Sequence, residues 1–544
     1  MVSTHTIDTS VRVAAIAIIA FCVVLLAFLF DETVLANDFA QTASVASNFL
    51  QGNGLATSLI YYDIHYELGS DTVPQTVFPP GYSLLIAPLI LVGMSPGLAG
   101  FVICVSAFAL TAFLIDRAVH EVTRSPNLAA LSAVSWAVLA VNWSNVLICR
   151  SETPATLFAT VSLYCVCRWS ARGGESRYLL FLAGAAAAAA FLIRYQSAFL
   201  ILSLGALFFV RAIPGFTLRR FKDLVAVSAA PAVVVALLFG RNYMISGGFG
   251  GGPVDHVQAS ADPLDVLRVF YYASGDILGV SIEGLLRGGL AEISLVMLLA
   301  FGVWAVSRRG VLTHIRTALS GNTGVVFCIV YILISIAAFA TLALLKSLGY
   351  VQARYFSTTI PFVIVPLFVV LAAVMRARPG AKPFRFSTVA GVALLSASLV
   401  LGQASAMQGQ MGLVSERAGH QGIQAALDIE FRGENVGRFL ASEISAGNNV
   451  MALEAQLVGY IIQQPVFGLA HSGLTTREFD EEEVLAMAAS SDIRYLVFFP
   501  SLYSPEPVKH SNQTVFTQIH SGETLEWLEP VIETDRVSVF AIEN

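Results

Sequence analysis

Long apolar runs bounded by charged residues recur along most of this sequence and decide what it can fold into. Eleven runs approach the roughly 20 residues that a helix needs to cross a bilayer, although a few are shorter. The pattern predicts an all-α polytopic membrane protein with about 11 to 13 transmembrane helices. The runs cover approximately residues 11–30, 98–115, 126–148, 152–168, 178–193, 196–212, 224–240, 292–307, 324–345, 350–375 and 387–406.

Charge is sparse and unevenly divided. Only 12% of the 544 residues are charged, which is about half the share in a typical soluble protein and excludes an ordinary soluble enzyme. The segment from Phe431 to Asn544 carries 6 basic and 16 acidic residues, whereas the first 430 residues carry 25 basic and 21 acidic ones. We therefore expect a membrane module at residues 1–409 and a soluble acidic domain at 410–544, and nucleic acid is not an expected partner.

Basic clusters predict the orientation. They are separated by pairs of runs, so all lie on one side, which the positive-inside rule makes the cytoplasm. The first run is expected to be a retained span, and an odd number of crossings places the acidic domain outside the cytoplasmic membrane. A further run, Gly81–Gly93, is expected to be a short interfacial or re-entrant helix. The clusters are Arg117–Arg124, Arg168–Arg177, Arg211–Lys222, Arg308–Arg316 and Arg376–Arg385.

The acidic tail alternates helical and strand patterns, which predicts a small α/β domain. All six cysteines lie in apolar stretches and none lies in this tail, so neither disulfides nor a cysteine metal site are expected. The expected elements are helices at Asn435–Glu443 and Glu481–Ala488 and strands at Val450–Leu453, Tyr495–Phe499 and Val537–Ile542.

Five cations lie at the predicted outer ends of spans, where the positive-inside rule expects few: Arg150, Arg194, Arg241, Lys346 and Arg354. Each could simply reach the headgroup region or pair locally. Together they form a basic rim, and a phosphate or pyrophosphate at the outer boundary would be a natural counter-ion.

The loop from Asp31 to Pro80 faces this rim and is unusually long, as functional loops often are. Its segment Phe39–Leu50 is amphipathic, which predicts a helix lying on the membrane surface. Asp38 stands at the start of that helix, where backbone N–H groups stabilise an anion. The alternative is that Asp38 only caps the helix.

The order of these motifs resembles the GT-C glycosyltransferases, the integral-membrane group that includes protein O-mannosyltransferases and lipid A aminoarabinose transferases. The similarity is collinear over about residues 11–375, and the tail resembles the external α/β domains that end many such chains. The motifs are Ala36–Phe39, Gly52–Leu55, Phe78–Leu84 with Tyr82, Arg150–Thr153, Leu192–Tyr195, Arg241–Tyr243 before Gly247–Gly248, and Ala353–Tyr355 leading to Pro361.

The resemblance implies transfer of a sugar from a polyprenyl-phosphate donor to a glycan, lipid or protein acceptor at the outer membrane surface. Asp38 matches the family's catalytic acidic position and would act as the general base. Arg194, Arg241 and Arg354 would hold the donor phosphate. Glu152 would either orient the neighbouring Arg150 or form a structural pair with it.

The sequence departs from the family at two positions. Phe39 stands where many members have a second acidic residue, which disfavours a carboxylate pair bridged by a metal, so no cofactor is expected. Phe78 stands where the sugar-lipid branch often has Lys, so His65 or Lys346 could take over a phosphate contact.

Two other classes remain open at this stage. A transporter or flippase for a lipid-linked anion would also place arginines in broken helices, but such proteins usually show internal repeats, and none is found. A scaffold protein would need no basic rim facing a carboxylate.

Overall fold

The computed structural model describes the greater part of both regions. Three predicted spans, at 11–30, 292–307 and 387–406, lie outside the described residues. The described residues are 37–57, 73–213, 217–246, 311–344, 353–376, 422–452, 454–468, 481–500, 514–523 and 525–543.

The membrane module is a bundle of helices. It also contains two 3-10 segments, Tyr195–Ser197 and Ala353–Thr359, and a small antiparallel pair formed by β1 (Ala56–Thr57) and β2 (Val73–Pro74). Its helices are α1 (Asn37–Leu50), α2 (Gly81–Leu91), α3 (Pro96–Thr123), α4 (Pro126–Ala137), α5 (Ala140–Leu147), α6 (Glu152–Ala171), α7 (Arg177–Ile193), α8 (Ala198–Ala212), α9 (Leu218–Ser246), α10 (Val311–Ser320), α11 (Thr323–Leu344) and α12 (Ile360–Arg376).

The helices confirm a polytopic membrane protein. Within the described ranges, five helices are long and apolar enough to cross a membrane, or up to six if a bent pair counts as one span. That pair is α4 and α5, which meet at 57° inside the single run predicted at 126–148. The runs at 152–168 and 178–193 correspond to α6 and to the shorter helix α7, of 20 and 17 residues.

Serine and proline define where two helices begin. Ser95 and Ser125 each stand at the N-cap and accept a hydrogen bond from a backbone N–H three residues later, at 3.3 and 3.4 Å. Pro96 and Pro126 follow them at the first helical position, where a missing N–H has no cost. These local signals fix the residues at which α3 and α4 begin.

Small residues allow close helix crossings. A Cβ atom on Gly184 of α7 would lie 2.1 Å from the Val227 carbonyl oxygen of α9, so only glycine permits this approach. A Cβ atom on Gly81 would lie 2.5 Å from the carbonyl oxygen of Leu192. The start of α2 is therefore packed tightly against the C-terminal end of α7, beside Arg194.

Helix α2 agrees with the short helix predicted at Gly81–Gly93. It has 11 residues, which corresponds to a length of about 16 Å, roughly half of the hydrocarbon thickness. It packs against α1, α3 and α7. A helix of this length cannot cross a bilayer, which is consistent with the predicted parity of the spans.

The C-terminal domain is a small α/β domain, as predicted. The elements are β3 (Glu430–Phe431), β4 (Glu434–Asn435), α13 (Val436–Ser445), β5 (Asn449–Ala452), α14 (Ala455–Ile462), β6 (Phe467–Gly468), α15 (Glu481–Ser490), β7 (Ile493–Phe498), α16 (Thr514–Ser521), β8 (Leu528–Glu533) and β9 (Ser538–Ile542). The larger sheet has the strand order β6-β5-β7-β9-β8, with β5 parallel to β6 and β7, and β9 antiparallel to β7 and β8. The helices α14 and α16 and the strands β6 and β8 were not expected from the sequence.

Helix α1 differs from its sequence prediction. A helix at this place was expected to lie on the membrane with one polar face, but of residues 38–50 only Phe49 is exposed. The reason is that Ala40, Ala43 and Ala46 are small enough for neighbouring elements to pack on both faces. Polar Gln41 and Asn48 are buried as well, and their side chains donate hydrogen bonds to Gln75 Oε1 and the Ala56 carbonyl, each at 2.9 Å.

Candidate active site

Asp38 lies in the first turn of α1 and is partly exposed. Because α1 begins at Asn37, the Asp38 carboxylate sits inside the helix start, where the dipole of the helix stabilises negative charge. Its side chain is 31% exposed and lies at the solvent-accessible edge of a cluster of charged residues. Its carbonyl accepts a hydrogen bond from Thr42 Oγ1 at 2.9 Å, within the same helix.

Glu152 is the buried centre of this cluster. It is the first residue of α6, and its side chain is only 2% exposed. Glu152 Oε2 lies 3.0 Å from an Arg194 guanidinium nitrogen, and Oε1 lies 3.7 Å from Arg354 Nε. Arg194 also donates to Ser151 Oγ at 2.9 Å. A carboxylate this deeply buried needs such partners, because an unpaired charge would be strongly destabilising.

Arg354 joins the two carboxylates. Its Nη1 donates to Asp38 Oδ2 at 3.1 Å, while its Nε faces Glu152. The ring of Tyr355 lies beneath both guanidinium groups, with Arg354 Cζ at 5.3 Å and Arg194 Cζ at 5.9 Å from the ring centroid. The site thus has two acids and two arginines, arranged around one aromatic ring.

Four segments far apart in sequence supply these groups. Asp38 comes from α1, Glu152 from the start of α6, Arg194 from the end of α7 and Arg354 from the 3-10 segment before α12. Asn145 and Ser357 fix the last of these segments, because Asn145 Nδ2 donates to Ser357 Oγ at 2.9 Å. All four lie at helix ends that the charge pattern assigns to the outer side.

Arg241 contacts backbone carbonyls and not the carboxylates of this cluster. Its guanidinium donates to the backbone carbonyls of Gln75 at 2.8 Å and Leu55 at 3.2 Å, which belong to the loop between α1 and α2. The next residue, Asn242, donates to Tyr195 OH at 2.8 Å. Of the three arginines predicted to hold the phosphate, the structure brings Arg194 and Arg354 together at Glu152, whereas Arg241 contacts loop backbone.

The remaining predicted residues divide into three cases. Tyr82 is buried, and its hydroxyl donates to the Cys149 carbonyl at 2.8 Å, so it supports the segment that leads to Glu152. Arg150 is partly buried two residues before Glu152. His65 and Lys346 lie outside the described residues.

Sequence reasoning missed the central role of Glu152 and the aromatic ring of Tyr355. Glu152 was linked to its neighbour Arg150, but in the structure it contacts Arg194 and Arg354, which are distant in sequence. The available signal was an acidic residue at the outer start of an apolar helix. Such a residue needs a cationic partner, although the sequence does not say which one.

An apolar groove of about 570 Å³ lies between α8 and α9. Leu202 and Phe209 on its wall expose more than half of their surface, so it opens toward the lipid. Val235 is the groove residue nearest the C-terminal end of α9, and it precedes Arg241 on the same helix by about 9 Å along the axis. The groove is therefore an apolar surface on the lipid-facing side of α8 and α9 that ends before Arg241.

The fold is similar to that of solved membrane glycosyltransferases of the GT-C group. The apo structure of ArnT from Cupriavidus metallidurans shares 12% identity over 99% of this chain and 98% of that chain, with a TM-score of 0.57, and its complex with undecaprenyl phosphate also scores 0.57. An oligosaccharyltransferase from Archaeoglobus fulgidus shares 11% identity over 90% of this chain and 69% of that chain, with a TM-score of 0.51. The arabinofuranosyltransferase AftD from Mycobacteria shares 16% identity over 98% of this chain and 40% of that chain, with a TM-score of 0.52.

At the level of sequence, no family model and no curated protein matches this chain. The structural matches extend over nearly the whole chain, including the C-terminal domain. The chain therefore has the GT-C fold.

Proposed function

We propose that this chain, with its GT-C fold, transfers a sugar from a polyprenyl-phosphate donor to a glycan, lipid or protein acceptor at the outer face of the cytoplasmic membrane. The observation that carries the proposal is the meeting of Asp38, Glu152, Arg194 and Arg354 in one partly open cluster. The ArnT structure bound to undecaprenyl phosphate and a structure of the Archaeoglobus fulgidus oligosaccharyltransferase in complex with an inhibitory peptide and a dolichol-phosphate support a lipid-phosphate donor.

The proposed reaction needs one base and one anion site. An acceptor hydroxyl oxygen attacks the anomeric carbon, Asp38 takes the hydroxyl proton, and the bond from that carbon to the phosphate oxygen breaks. The electron pair of that bond leaves with the polyprenyl phosphate. Arg354 and Arg194 stabilise the growing charge on the phosphate, because guanidinium groups stay protonated and bind phosphate oxygens in pairs.

Arg354 couples the two halves of this reaction. Its Nη1 is paired with Asp38 Oδ2 at 3.1 Å, and this pairing occupies the proposed base. A bound phosphate competes for the same guanidinium edge, and Glu152 retains the opposite edge. Donor binding therefore releases Asp38 to accept a proton.

Arg354 also places positive charge between the two carboxylates, where a site built from paired acids would hold a divalent cation. Its guanidinium contacts both Asp38 and Glu152. Across the described ranges, no group of three or more His, Cys, Asp or Glu side chains could hold a metal ion. We propose that this guanidinium, placed between the two carboxylates, supplies positive charge during the transfer.

Arg354→Lys is expected to weaken binding of undecaprenyl phosphate by about tenfold, because a lysine keeps the charge but loses the planar fork. The measurement is native mass spectrometry of the purified protein in detergent with undecaprenyl phosphate. Arg241→Lys is the matched control and should change affinity by less than about twofold, since Arg241 binds loop carbonyls. Equal losses in both variants, or none in Arg354→Lys, would refute the assignment of the phosphate site.

The proposed orientation predicts opposite labelling of two exposed serines. Cysteine at Ser521, in the C-terminal domain, should react with a membrane-impermeant thiol reagent in cells stripped of any outer envelope, whereas cysteine at Ser320 should not. Background labelling should be low because the five described cysteines are buried. Labelling at Ser320 alone would reverse the orientation and move Asp38 to the cytoplasmic face.

A further inference from the structure

Helix α1 is covered on both faces by different parts of the chain. Phe39, Ala43 and Ala46 belong to the hydrophobic core of the membrane module. Ala40, which is fully buried, belongs to the core of the C-terminal domain. Helix α1, which carries Asp38 in its first turn, is thus a layer shared between the two domains.

The covering element from the C-terminal domain is α14, which packs directly on α1. Leu457 and Val458 of α14 are buried in the same core cluster as Ala40. Since Ala40 is only two residues after Asp38, this contact is formed at the end of α1 that carries the carboxylate. The alanine side chain permits the close approach that a larger residue would prevent.

Tyr460 of α14 extends this contact into the membrane module. Its ring packs against both core clusters, and its hydroxyl lies near the backbone of Gly97 in the first turn of α3. Burial raises the pKa of Tyr460, so the hydroxyl remains protonated and neutral.

The start of α3, which lies near Tyr460, also supports the other face of α1. The Phe39 ring lies so close to Gly100 on α3 that a Cβ atom there would be 2.3 Å from Phe39 Cε2. Phe39 is the residue after Asp38. Tyr460, the start of α3 and Phe39 therefore form one packed layer beside the carboxylate.

A 14-residue helix has little stability of its own in the absence of packing. We propose that the C-terminal domain holds α1 against the membrane module and so fixes Asp38 at reacting distance, with Tyr460 as the main positioning residue. This inference rests on the proposed role of Asp38 as the base. It gives the acidic domain a function in catalysis that does not require it to touch the donor.

The test compares Tyr460→Ala and Tyr460→Phe in the full-length protein. Tyr460→Ala should lower the maximal transfer rate by about ten- to hundredfold, because displacing a catalytic group by about 1 Å has effects of this size. Tyr460→Phe keeps the ring and should recover most of the rate. Affinity for undecaprenyl phosphate should stay unchanged in both variants, since Arg194 and Arg354 do not lie on α1.

Hydrogen exchange separates positioning from unfolding. In Tyr460→Ala, amides of residues 39–50 should exchange faster, whereas those of Ile493–Phe498 in the domain sheet should keep wild-type protection. Tyr495→Phe is the control, because Tyr495 donates to Glu443 Oε2 at 3.1 Å inside the domain. Unchanged rate and unchanged exchange at α1 in Tyr460→Ala would overturn the inference. If Asp38→Asn stays active instead, the proposed function itself fails.

Discussion

Asp38→Asn is expected to lower sugar transfer by at least about a hundredfold while the protein remains folded. Asparagine has nearly the same size and is accepted at a helix start, but it cannot take a proton from an acceptor hydroxyl. The rate is measured as the release of polyprenyl phosphate from the lipid-linked sugars of the cells' own membranes, quantified by mass spectrometry.

The same variant should bind undecaprenyl phosphate at least as tightly as the wild type. We expect this because Arg354 loses one of its two carboxylate partners in the variant and becomes freer to bind phosphate. Asp223→Asn is a matched control, because Asp223 Oδ1 is also paired with an arginine, Arg177 Nε at 3.2 Å, but at the predicted cytoplasmic side. Near wild-type transfer by Asp38→Asn would remove Asp38 from the mechanism.

Glu152→Gln is expected to destabilise the protein by about 3 kcal/mol or more, because removing one partner leaves buried arginines short of a counter-ion. Arg194 would keep Ser151, and Arg354 would keep Asp38. Transfer should fall as well, since both guanidinium groups lose the carboxylate that orients them. The stability change is measured as the shift in thermal unfolding of the purified protein in detergent.

Undecaprenyl phosphate should restore part of the stability that Glu152→Gln loses, because its phosphate supplies negative charge to the same arginines. The control is Glu121→Gln. Glu121 pairs with Arg124 at 3.2 Å, but the arginine side chain is 61% exposed, so the expected loss is at most about 1 kcal/mol. Similar losses in both variants would show that Glu152 is not the centre of the site.

The sequence predicts the individual helices and strands better than it predicts which residues come together in the site. Apolar runs and basic clusters locate the helices because burial in a bilayer imposes the same length on every span. Alternation of helix and strand patterns likewise predicts β5, β7 and β9 within a few residues. These signals are local, so they need no knowledge of the tertiary structure.

The candidate site forms only in the tertiary structure, which explains why the sequence predicted some of its contacts and not others. Arg194, Arg241 and Arg354 share the same signal, an outer cation, yet Arg241 contacts loop carbonyls while the other two contact Glu152. Nothing local distinguishes them. The buried second face of α1 was missed for a related reason, because Ala40 is compatible with either an exposed or a tightly packed surface.

The central claim is tested most directly by lipids and surface glycoconjugates from cells that lack this protein. Mass spectrometry of these cells should show a polyprenyl-phosphate sugar accumulating and the same sugar missing from one surface product, with both changes reversed by the wild-type protein and not by Asp38→Asn. Unchanged lipid-linked sugars together with an unchanged set of surface glycans would contradict sugar transfer as the function of this chain.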